Sequence, residues 1–321
     1  KVFSVPSEEP EITQAVLDAA KNEFNKESNS IAPKHKLSVK VNNYDQAKLC
    51  IALNTDRIYL ASDVLLPDSF MSLAQLQHLV SIKGNTEIYL ALPQMMDELQ
   101  FDIIDQYLHK HGHLFDGVLA TNLGAIKRCS NNFKLITDYN LNLYNHKAVE
   151  FYKSIGAQQF TASIEAKVNE LSEFLAASQE PIELIVHGPV RVMYLDHNVY
   201  DNLKDLQPSE AVDNRYVNND VLVMLHEKGE NPVYIDHYNK NHLFISKELC
   251  LLPILEHLSH EELLSLRIEG QTYSLEELKY VIETYQKAAE DISSCSTLYQ
   301  EMKSCRAGFT LGALSYKFDL D

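Results

Sequence analysis

The chain has 321 residues, 45% of them apolar, and its 28 basic and 45 acidic side chains give a net charge of −17. This is enough apolar content for one large domain or two ordinary ones, and so acidic a surface disfavours unaided binding to a nucleic-acid backbone. No apolar run approaches the roughly 18 to 20 residues that cross a bilayer, and KVFSVPSEEP lacks the basic start and apolar middle of a secretory signal, so a cytoplasmic protein is expected.

Residues 1–36 hold one amphipathic segment, EITQAVLDAAKNEFNKE, and a polar linker. They read as a lead-in from an upstream region. From residue 37 onward, short β-rich runs alternate with helical patterns. The runs are LSVKV (37–41), RIYLA (57–61), EIYLAL (87–92), GVLAT (117–121), KLITD (134–138), QFTA (159–162), ELIVH (183–187) and SLRIE (265–269). Between them lie segments with apolar residues at three and four spacing, several of them behind a capping residue such as Asn43, Ser72 or Asn145. Continuous apolar strands separated by helices imply a parallel sheet covered by helices. The count of eight strands favours a closed α/β barrel, a TIM-like (β/α)8 fold, spanning residues 37–321. No GxGxxG follows the first strand, which argues against a dinucleotide-binding open sheet. Residues 188–262 interrupt the repeat after the seventh strand as a β-rich insertion, with a hairpin predicted around Lys228–Asn231. The helix SLEELKYVIETYQKAAEDISS closes the barrel, and the apolar tail RAGFTLGALSYK reads as a docked segment.

In such a barrel, functional groups gather at the C-terminal ends of the strands. Those ends carry Ser62, Asp63, Gln94, Thr121, Asn122, Asp138, Asn140, Asn142, Ser163, Glu165, His187 and Glu269. Asp138, Glu165, His187 and Glu269 are the candidate catalytic groups, with Asp138 and Glu165 a potential carboxylate pair for acid and base work. Asn122, Asn140, Asn142, Arg191 and Arg267 are the candidate binding residues. The tract HKHGH (109–113) falls on the opposite face of the barrel, and Asp196 beside His197 is a poor metal site. There is no GxSxG elbow and no HExxH. The five cysteines are widely spaced and fit free thiols rather than a disulfide framework.

ELIVHG, ISKELCLLPIL, SLRIEG and RAGFTLGALSYK, in that order, resemble peptidase family U32, the collagenase-like group, as do DGVLATNLGAIK, ITDYNLNLYN and FTASIE. The resemblance covers roughly residues 37–318. It implies a peptidase label, yet also a tie to members that hydroxylate tRNA or ribosomal RNA bases or ubiquinone precursors. Those members hold a 4Fe-4S cluster through four cysteines, since soft thiolates suit such clusters. The matching positions here are Arg191, Asn198, the cysteine-free run 213–225 and Cys250, the only retained ligand position. No cofactor is therefore expected. The resemblance then implies a cluster-free domain acting as the partner half of an RNA- or cofactor-modifying system. Its partner would be a cluster-bearing U32 domain, upstream in the same chain or on a separate subunit, and any RNA contact would go through it. The alternative is a collagenase-like peptidase or other hydrolase with its site at the barrel mouth.

Overall fold

The computed structural model describes residues 12–24, 35–202, 221–226, 229–258, 263–305 and 308–315. The linker after the first helix, most of the 213–225 run and the predicted hairpin's turn at 227–228 lie outside the described residues.

Eight parallel strands close into a ring. They are β1 (Lys36–Val41), β2 (Arg57–Ala61), β3 (Glu87–Ala91), β4 (Gly117–Ala120), β5 (Leu135–Thr137), β6 (Gln159–Thr161), the first half of β7 (Ile182–Leu195) and β11 (Leu263–Glu269). Each pairs with the next, and β11 pairs with both β7 and β1, so the barrel has no free edge. Around the ring lie α2 (Tyr44–Ala52), α3 (Leu73–Ile82), α4 (Glu98–His111), α5 (Leu123–Cys129), α6 (His146–Ser154), α7 (Val168–Ala177) and α9 (Leu275–Glu290). Capping residues fix their starts. Asn43, Asn122 and Asn145 accept from the third helical N–H, while Ser72–Gln75, Asp97–Gln100 and Ser274–Glu277 form reciprocal capping boxes. The first helix, α1 (Gln14–Phe24), packs on α7, with its Leu17 and Ala20 and the preceding Ile12 buried. Among the described residues no helix is long and apolar enough to cross a membrane.

The outer faces of the strands meet the helices in one apolar core, and strand alternation sends the other set of residues inward. That interior is divided. Strands β2 to β5 contribute Tyr59, Tyr89, Ala91, Leu119 and Ile136, an apolar wedge. Gly117 makes room for it, because a Cβ there would lie 2.2 Å from the Tyr89 ring. The remaining strands contribute Ser38, Thr161, Glu183, Ser265 and Arg267, all nearly inaccessible to solvent. At the N-terminal end Arg57 closes the barrel, donating to Glu87 Oε2 at 2.5 Å and to Gln159 Oε1 at 2.7 Å, with its guanidinium 4.7 Å from the centre of the Tyr89 ring.

At the other end β7 runs out of the barrel and pairs antiparallel with β10 (Asn241–Cys250), followed by β9 (Gly229–Ile235) and β8 (Leu222–His226). This four-stranded extension is the insertion expected after the seventh strand. It is tied down over the mouth by Leu66 N–H to Ile235 O and His237 N–H to Val64 O. Past β10 come α8 (Leu255–Leu258) and, after α9, α10 (Cys295–Cys305); the two-residue β12 (Phe309–Thr310) then pairs with β10. Phe309, Leu311 and Leu314 of the tail are buried, so it docks.

Candidate functional site at the barrel mouth

Arg267 is the centre of the interior. Its side chain is 0% exposed and meets three carboxylates: Asp138 Oδ1 at 2.5 Å, Glu183 Oε2 at 3.1 Å and Glu269 Oε1 at 2.8 Å. Glu183 also accepts from Ser38 Oγ at 2.7 Å and Tyr59 Oη at 2.8 Å. Burial alone would raise the Asp138 carboxyl, but the charges of Arg267 and Lys40 outweigh it and hold it below the ordinary carboxylate value. Asp138 and Arg267 thus belong to a paired ionic core under the mouth.

Above that core lies a small cavity. Lys40, Asp63, Tyr139, Arg191, His242 and Glu269 face it together with apolar residues, and its volume is about 20 Å³, near the space one water needs. Arg191 is held from three elements. It donates to Gln94 Oε1 at 3.0 Å and to His242 Nδ1 at 3.0 Å, and lies 3.4 Å from Asp63 Oδ2. A guanidinium only donates, so His242 Nδ1 accepts and His242 Nε2 carries the proton, donating to Asp236 Oδ2 at 2.9 Å. Burial pushes the His242 pKa down, consistent with this neutral form. Asp236, fully buried, also accepts from the backbone of Tyr238 and Lys240. The result is a relay from Asp236 through His242 to Arg191. Both ring nitrogens are committed, so His242 is not placed as a general base.

Lys40 differs from these. It is 2% exposed and faces the cavity, yet among the described residues no hydrogen bond or ion pair reaches its Nζ. Beside the cavity runs a groove of about 580 Å³, between the loops after β1, β2 and β11 and the antiparallel extension. Leu65, Pro189, Phe244 and Gln271 line both.

The other sequence candidates fall elsewhere. Glu165 is exposed and accepts from Tyr144 Oη at 3.2 Å, whereas Asp138 is bound to Arg267, so the two do not form a carboxylate pair. His187 is fully buried on the outer side of the barrel wall, its ring 5.3 Å from that of Tyr285 on α9. Asn122 caps α5, Asn140 ties its loop to Thr121 O at 2.7 Å, and Asn142 supplies a left-handed turn residue at φ 56°. Asp138, Glu269, Arg191 and Arg267 are brought together. Lys40, Tyr139 and His242 were not among the candidates. Lys40 had a signal, because Lys36, Ser38 and Lys40 alternate with the apolar residues of β1, as Ser265, Arg267 and Glu269 do in β11. His242 had none, since it reaches the mouth from the insertion.

The donor set does not fit the four-iron cluster that the resemblance implies. Arg191 and Asn198 stand at two ligand positions, and no cysteine occurs in 213–225. Cys250 lies opposite His187 in the β7–β10 pairing, beside Tyr285, with its thiol pushed up to about 12 by burial. It does not face the cavity that holds Arg191. Among the described residues no three His, Cys, Asp or Glu side chains are grouped to hold a metal.

A sequence model described as peptidase family U32 matches residues 42–311. No curated protein matches the sequence. Solved structures similar to the chain include the U32 peptidase Mk0906, with TM-score 0.39 and 8% identity over 51% of this chain and 73% of that one. Another is the spore cortex-lytic enzyme SleL of Bacillus cereus, with TM-score 0.38 and 8% identity over 80% of this chain and 75% of that one.

Proposed function

Because the chain belongs to peptidase family U32, we propose that it is a cluster-free member that binds a polar ligand at the barrel mouth and does not cleave peptides through a side-chain nucleophile. The observation that carries this reading is Lys40, whose buried side chain lines the cavity and makes no hydrogen bond or ion pair among the described residues. Its charge acts on Asp138 in the core below, yet a buried ammonium that makes no hydrogen bond is costly, and a ligand acceptor oxygen would offset that cost. Against direct proteolysis, no Ser, Thr or Cys faces the cavity among the described residues, and His242 is held between Arg191 and Asp236. The cavity seats only the tip of a ligand, whose body would lie in the groove. Thermal-shift screening of polar amino acids, amides and sugars tests this. At least one is expected to raise the wild-type melting temperature and to lose that effect in Lys40→Met, while casein and gelatin stay uncut. Cleavage of either, or shifts indifferent to Lys40, would sink the reading.

A second reading, the partner half of an RNA- or cofactor-modifying system, draws support from the antiparallel extension. There Val192 and Met193 are 49% exposed and Met224 and Leu225 52% exposed, the kind of apolar surface that a partner covers. Co-expression with a four-cysteine U32 domain is expected to give a complex that Met224→Glu weakens. Independent migration of the two would remove this reading.

A further inference from the structure

The groove is acidic, and the cavity at its foot holds two cations, Lys40 and Arg191, beside two carboxylates, Asp63 and Glu269. Asp68, Glu248, Glu276 and Glu277 line the groove, and no Lys, Arg or His lines it among the described residues. Tyr234, Phe244 and Tyr273 add flat apolar surface, while Asn43, Ser246 and Gln271 add hydrogen-bonding groups. At the foot, Arg191 is committed to Asp63, Gln94 and His242, and Glu269 to Arg267, whereas the Lys40 ammonium, whose charge also acts on Asp138, makes no hydrogen bond or ion pair among the described residues and is the donor open to a ligand.

Resting on the ligand-binding reading above, we propose that groove and cavity together select a carboxylate-terminated cation: a basic α-amino acid, free or as the C-terminal residue of a peptide. The carboxylate oxygen is placed at Lys40, where a charge-assisted hydrogen bond forms in a site shielded from water. The cationic side chain is placed among the groove carboxylates. Their summed field attracts it and repels phosphate and acidic ligands. The two ends require opposite charges, so a ligand with one alone loses half of the recognition. The cavity's volume, near that of one water, admits no more than a single ligand oxygen, so the body of the ligand stays in the groove.

The test is isothermal titration of the whole chain with four probes: acetyl-Ala-Lys-Ala-Lys with a free carboxylate, its C-terminal amide, its glutamate analogue and free L-lysine. The free acid is expected to bind about tenfold tighter than the amide, a difference of ~1.4 kcal/mol, and the glutamate peptide is expected not to bind. Lys40→Met should erase the difference between acid and amide. Glu276→Lys changes an exposed side chain on the first turn of α9 and leaves the barrel intact. It should weaken both lysine peptides equally. Free L-lysine competing as well as the peptide would assign the site to the amino acid, and weaker competition to the peptide terminus; both support the proposal. Equal affinity for acid and amide in the wild type, or for lysine and glutamate peptides, would overturn it. If these probes fail while a neutral ligand still shows Lys40-dependent stabilisation, this proposal falls and the broader reading stands.

Discussion

Arg267 shows how a single buried charge can organise a barrel interior. A fully buried guanidinium survives only with excellent partners, and it has Asp138, Glu183 and Glu269, with Glu183 also bound by Ser38 and Tyr59. Arg267→Met would strand three carboxylates, so it is expected to cost about 3–5 kcal/mol, read as a lower urea midpoint at neutral pH. Acid should act on the same network. The folded Asp138 carboxyl lies below the ordinary value of 3.8, so its contribution is full above that value and is lost as pH falls toward the folded one. Urea midpoints between about pH 5 and about pH 2 should therefore fall steeply in the wild type and more gently in Asp138→Asn. A slope unchanged by that substitution would contradict the assignment. At this scale the sequence was partly legible. Polar residues at every second position of β1 and β11 mark the inward face, but no spacing told that Asp138 would meet Arg267, 129 positions away.

At the scale of elements, β7 carries the main departure from simple alternation. Period two would place Glu183, Ile185 and His187 on one side, and the first two do face the interior. The register with β11 then slips: Arg267 lies opposite Ile185, but Ile268 lies opposite His187. The extra residue turns His187 outward into packing with Tyr273, Tyr285 and Phe309. A bulge of this kind is common at barrel rims, and here it separates a sequence candidate from the mouth. Gly188 comes next at φ 124°, where a Cβ would lie 2.3 Å from Glu269 O. Gly188→Ala is therefore expected to lose about 1–3 kcal/mol from backbone strain alone, and more from the displaced Glu269. A urea midpoint within error of the wild type would show that the strand adapts.

On the scale of the whole molecule, the β7–β10 extension turns an ordinary barrel mouth into a roofed cavity with a groove beside it. It also carries Arg191, at a position where the family resemblance implies a thiolate, in a relay with Asp236, His242, Asp63 and Gln94. That arginine is held in place by buried polar partners. Anaerobic treatment with ferrous iron and sulfide, followed by desalting, is expected to leave iron far below the four per chain of a 4Fe-4S cluster. Stoichiometric retention with cluster absorbance would show that other ligands serve.

The sequence by itself determined the barrel, because eight apolar runs separated by capped amphipathic helices have few ways to bury both faces of a parallel sheet. It also determined the family and the place of the insertion. Only the tertiary structure decided which polar residues share a site. The groups that meet at the mouth come from strands far apart in the chain: Lys40 from β1, Arg191 from β7, His242 from the insertion and Glu269 from β11. Local spacing carries no record of such meetings, and a one-residue slip in β7 was enough to move His187 out of them.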